Sequence, residues 1–219
     1  MKAAYISRIW LRARLSAIHL LHDRSGIAAT EFAVIVPIML VMFFGTVEFS
    51  SAVAVDRKVT LTARTLSDLT SQSAVTINDN YLTNVFTASI GIMWPYDPTP
   101  TTATLSEIYV DSTGKAKIQW SRAATIATVS GSTQATLIVS ARKAGDDVTS
   151  IVPAALVVKQ TYLIFSEVGY LYKPTIGYVM AKAGLSLDDI SYTRPRQIPC
   201  ITYTNSSGVS LPAGNCPLS

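Results

Sequence analysis

From Ile27 to Val55 the chain is almost unbroken apolar sequence, interrupted by charge only at Glu31 and Glu48. A helix needs ~20 apolar residues to cross a bilayer, so this run is long enough. Glu31 and Glu48 lie roughly 25 Å apart along such a helix, which lets each sit near one edge of a ~30 Å hydrocarbon core. Pro37 removes one backbone hydrogen bond and predicts a kink. The pattern then becomes amphipathic. Val55, Val59, Leu66 and Leu69 fall on one face, with Arg57, Lys58, Arg64 and Asp68 directed elsewhere. One helix over about 27–73 is expected, its second half packed on something. Upstream, residues 5–22 mix apolar and basic positions and predict a short amphipathic helix on a membrane surface, interrupted before Gly26.

Asn78-Asp79-Asn80 is an N-cap cluster, followed by Tyr81, Leu82, Val85, Phe86 and Ile90 at helical spacing. A second helix over about 79–91 follows. The three prolines of 94–104 predict a linker. Beyond it the period changes to two. Residues 107–110 and 116–120 read as strands around the turn Asp111-Ser112-Thr113-Gly114-Lys115. Residues 134–141 form another candidate strand. Residues 159–172 alternate as one bent strand or two, broken near Gly169. A short helix is expected from Pro174, with Gly184 past its end. Residues 189–200 read as a last strand, confined to a sheet edge by Pro195 and Pro199.

The expected fold is therefore α+β. A long N-terminal transmembrane and amphipathic helix is followed by a small ectodomain rich in antiparallel strands. The segments are a basic leader (1–26), a transmembrane helix (27–55), an amphipathic continuation (56–75) and an outward α+β domain (76–219).

Charge sharpens this picture. The 219-residue chain has a net charge of +4. Residues 1–26 supply all of it, with Lys2, Arg8, Arg12, Arg14 and Arg24 against Asp23, and the remainder is balanced. Nucleic-acid binding needs clustered cations, and none cluster after residue 26, so no nucleic-acid partner is expected. Basic residues ahead of an apolar run tend to stay in the cytoplasm, which predicts the N-terminus inside and the C-terminal domain outside. Export makes a disulfide the natural state of Cys200 and Cys216. It would close a loop of about 17 residues and contribute roughly 3 kcal/mol.

Catalytic chemistry finds little material. No histidine follows Gly26, which removes histidine triads and histidine acid–base chemistry. No phosphate loop, cofactor motif or metal-ligand cluster is present in the pattern, so no enzyme activity, cofactor or metal is expected. His19 and His22 fall in the leader. Asp146-Asp147 and Asp188-Asp189 read as turn or cap residues, and Asn205-Ser206-Ser207 matches a glycosylation pattern.

The junction at Gly26 remains. A basic leader, a small residue, an apolar helix and a glutamate four residues into that helix resemble the processing site of type IV prepilins. The resemblance implies cleavage between Gly26 and Ile27, making Glu31 the fifth mature residue. Cleavage would free the Ile27 α-amine, and in a stack of subunits Glu31 could pair with a neighbour's amine. A carboxylate in a membrane helix wants such a cation. Gly26 ahead of an uncleaved signal anchor, and cleavage by ordinary signal peptidase at Ala52-Val53-Ala54, stay open on the residues alone.

The run is also similar to the N-terminus of TadE-like proteins of tight-adherence (Tad/Flp) pilus systems, with matching positions Gly26, Ala28, Glu31, Phe32, Ala33, Pro37, Phe44, Gly45 and Glu48. Softer likenesses occur in 56–72, 117–123, 169–179 and 191–197. Thr30 stands where many members have valine. The resemblance implies a pilin-like architecture and the role of pseudopilin or minor pilin. The protein would sit in the inner membrane in a single pass, or in a pilus, with Glu31, Phe32, Pro37 and Glu48 serving assembly. Its partners would be a prepilin peptidase, other pilin-like subunits and the Tad machinery.

Overall fold

The computed structural model describes residues 25–74, 76–129, 131–174, 184–211 and 216. The expected helices over 5–22 and after Pro174 lie outside the described residues. The chain divides into two compact units, Met1–Val47 and Glu48–Ser219, and the first helix, α1 (Ser25–Ser71), contributes to both.

In the second unit α1 packs on an antiparallel sheet. Strand β1 (Ile77–Asn78) leads into α2 (Asp79–Ile90), capped as expected: the Asn78 side chain accepts from Tyr81 N at 2.9 Å. Next come β2 (Thr101–Val110), β3 (Ala116–Val129), β4 (Ser132–Ile138), β5 (Thr161–Tyr172) and β6 (Leu185–Thr193). They pair antiparallel in the order β4-β3-β2-β5-β6. The short strands β7 (Tyr203–Thr204) and β8 (Ser210–Leu211) join β1 in a second sheet, with β1 and β7 parallel. This is the α+β arrangement the pattern predicted, and the pilin-like one the family resemblance implied.

The β2–β3 hairpin turns where expected. Asp111 Oδ1 accepts from Thr113 N at 2.8 Å and Lys115 N at 3.0 Å, and Gly114 takes φ +92°, a conformation few other residues adopt.

Several expectations change in detail. The proline linker ends sooner, because Thr101–Thr104 already pair with Tyr170–Glu167. Gly169 does not break β5. A Cβ there would lie 2.6 Å from Asp188 Oδ1 and 3.1 Å from Thr102 Oγ1, so glycine lets side chains of two flanking strands close over it. The last strand of the five-stranded sheet is β6, which starts at Leu185, stops before Pro195 and lies at the sheet edge, with β7 and β8 following in the small sheet. Asp188 and Asp189 are strand residues of β6 and not turn residues. Asp146 and Asp147 do serve turns, accepting from Lys143 N and Thr149 N.

Two cores flank the sheet. Val55, Val59, Ala63 and Leu66 of α1 pack with Leu105, Trp120, Ile164 and Val168. Ile108, Ile118, Leu163 and Phe165 form the other core, under Val148 and Val152 of the β4–β5 connection. Neighbouring residues of a strand face opposite ways, yet Ile118 and Trp120 belong to different cores. The register explains it: Glu107 pairs with Trp120 and Ile108 with Ile118, leaving Gln119 as an extra residue. This β-bulge reverses the facing of β3.

Candidate assembly site

Gly26 and Ile27 occupy the first turn of α1. Thr30 Oγ1 donates to Ile27 O at 2.8 Å, an internal use of its hydroxyl. Glu31 is exposed one turn on, beside Phe32 at 69% exposure. Pro37 lies inside the helix without ending it. Nearly every apolar side chain of 27–47 is exposed, including Ile35, Leu40, Met42 and Phe43, and α1 is long and apolar enough to cross a membrane. Water is a poor environment for so much apolar surface.

The environment changes at Glu48. Its side chain is buried, at 3% exposure, within the second unit, as are Ala52 and Val55. Its charge adds to burial in raising the Tyr172 phenol above the ordinary tyrosine range. Glu31 and Glu48 therefore occupy different surroundings, and the structure does not bring them together.

The model of the TadE-like protein family matches residues 26–67. That stretch is a TadE-like domain. The match opens at Gly26 and lies wholly within α1, across the change of environment at Glu48. No curated protein matches the chain. No solved structure matches it either.

From Glu48 on, the TadE-like segment is fastened within the second unit by polar contacts that periodicity does not reveal. Lys58 Nζ donates to the carbonyls of Ile92 and Trp94, each at 2.8 Å. Thr60 Oγ1 donates to Asp189 on β6. Ser67 Oγ lies 3.0 Å from both Ser191 Oγ and Thr193 Oγ1.

Cys200 and Cys216 form the expected disulfide, with Cα atoms 5.9 Å apart. Beside it lies a group the sequence reading missed. Glu107, fully buried on β2, accepts from Ile201 N at 2.6 Å and from Trp120 Nε1 at 3.1 Å. Burial outweighs those two donors and pushes its carboxyl up to about 8. Asp79 shows the reverse balance. Burial alone would raise its carboxyl, but Tyr203 OH at 2.6 Å, Arg122 Nη2 at 2.8 Å and Ser206 N at 3.1 Å hold it below the usual carboxylate range. Neither acid stands in a motif. The nearest signal for Glu107 was a single charged position opening the otherwise apolar run 107–110.

A groove of 610 Å³ crosses the sheet face over Thr102, Thr104, Glu167 and Asp188. Its acids are already engaged: Glu167 pairs with Arg142, and Asp188 accepts from Ser186 Oγ. Among the described residues no group of three or more His, Cys, Asp or Glu side chains is placed to hold a metal ion.

Proposed function

We propose that this chain is a pseudopilin or minor pilin of a Tad pilus system, made as a precursor and cleaved between Gly26 and Ile27. The observation that carries the reading is the TadE-like segment itself, whose first half leaves its apolar side chains bare. Such a surface is covered by lipid before assembly and by neighbouring helices after it. Residues 27–47 extend ~31 Å as a helix, which matches the hydrocarbon thickness. The basic leader stays on the cytoplasmic side and the sheet domain faces outward, where the disulfide is stable. Glu31 then pairs with the α-amine of Ile27 on an adjacent subunit, and Phe32 and Pro37 shape the helix contact. The function is structural, contributing to pilus assembly and surface adhesion, with no catalytic step.

Intact-mass spectrometry of the protein, expressed with and without its prepilin peptidase, tests this. The expected result is loss of residues 1–26 only when the peptidase is present. A full-length product in both cases assigns the chain instead to uncleaved, signal-anchored proteins of the outer face.

A further inference from the structure

Residues 194–204, after β6, strap three elements together. Arg196 N donates to Ser71 O at the end of α1 at 2.9 Å, and its guanidinium pairs with Asp68. Cys200 and Ile201 are buried. The Ile201 peptide sits between two side chains of the main sheet: its N–H goes to Glu107 Oε1, and its carbonyl accepts from Trp120 Nε1 at 2.7 Å. Tyr203 then enters the small sheet and donates to Asp79. The strap thus lies directly against the buried Glu107 carboxyl through the Ile201 peptide.

No basic side chain forms an ion pair with Glu107 among the described residues. Tyr162 on β5 feels its charge and packs against Tyr109 of β2 at 4.7 Å between ring centres. Tyr203 of the strap packs on Trp120 at 5.6 Å, with Asp79 of α2 and Arg122 of β3 beyond it. The buried face of α1 carries Glu48 at its start and only apolar and hydroxyl side chains from there to Ser71.

We propose that the strap is a proton-controlled clasp with Glu107 as its catch, closing over the protonated carboxyl and loosening when that proton leaves. The protonated group suits the site because it removes the buried charge, and its carbonyl oxygen still accepts an N–H bond. The ionised group gains from water, and water reaches it when the strap lifts. With the strap closed the carboxyl titrates near 8. With the strap open and the group wet it titrates near an ordinary ~4.3. The closed form therefore binds a proton that the open form releases. Closure is fully supported below the ordinary value, weakens as pH rises, and levels off above about 8. Within that window the opening constant grows by up to about tenfold per pH unit.

The test is hydrogen exchange, read by mass spectrometry on the full chain in lipid nanodiscs between about pH 5.5 and 8.5 and normalised for the intrinsic exchange rate. Peptides containing Ile201 should lose protection by more than about tenfold over that range, while those of β2 and β5 hold theirs. Glu107→Gln should flatten the dependence. A strap whose opening ignores pH, follows the same trend in Glu107→Gln, or rises together with the whole sheet overturns the proposal. Should that variant not fold, carbon-13 NMR titration of Glu107 in the unaltered protein decides. A midpoint near 8 supports the clasp, and a midpoint in the ordinary carboxylate range overturns it.

Discussion

Ser166 on β5 donates its hydroxyl to the main-chain carbonyl of Ala63, in the interior of α1, at 2.7 Å. Both residues are fully buried. A small polar residue at the middle of the sheet thus sets how closely helix and strand approach, and the helix carbonyl gains a second donor. Ser166→Ala should cost about 0.5–1.5 kcal/mol, the usual worth of one hydrogen bond. Ser166→Leu should cost about 1–3 kcal/mol by overpacking. Denaturant melts of both variants check the order, and equal stability of Leu and Ser at this position would contradict the close-approach account.

Glu31→Ala should leave membrane insertion intact and impair assembly. The carboxylate is exposed on the helix and is the single charge between Ile27 and Val47, so its removal makes insertion no harder. Membrane fractionation and pilus counts separate the two effects. Normal piliation of the variant would remove the pairing with the Ile27 amine.

Cys200→Ser should abolish the mobility difference between reduced and non-reduced protein on electrophoresis. It should also lower stability by roughly 3 kcal/mol, the loop-closure value for a separation of 16 residues. Because Cys200 neighbours the Ile201 peptide held by Glu107, proteolysis of the variant should begin in the strap before the main sheet.

Asp79 predicts an acid limb. Its carboxyl lies below the ordinary range in the folded protein, so its contribution is present above the unfolded value and is lost as pH falls through the folded one. Asp79→Asn should cost about 1–3 kcal/mol at neutral pH and make the remaining loss toward acid shallower. Urea melts at several pH values between about 2 and 7 measure both.

The parts of the fold that sequence foretold are the parts set by neighbours in the chain. The membrane-length run, the Asn78 cap, the Asp111–Lys115 turn and the edge position of β6 each rest on a few adjacent residues. What escaped depends on residues far apart. Gln119 looks like one more polar position in an alternating strand, and only its pairing with β2 reveals that it reverses the strand's facing. Glu107 looks like a strand's solvent-side charge, and becomes a buried acid because Ile201 covers it. Glu48 fits a membrane edge by spacing, while its burial comes from the second unit. For Gly26, Ile27, Glu31 and Phe32 the pattern is in the sequence, and in the function proposed above their partner is another molecule.

The strap also constrains the order in which the protein can be finished. Val59 and Leu66 emerge from the ribosome early, while the strands that cover them, and Ile201 with them, come far later. During that interval α1 carries a second, unsheltered greasy seam beside the bare apolar run of 27–47. Arrival of the tail is thus the closing step of folding, and a chain halted before Ile201 would leave Glu107 without the N–H it accepts from and its sheet open to chance association.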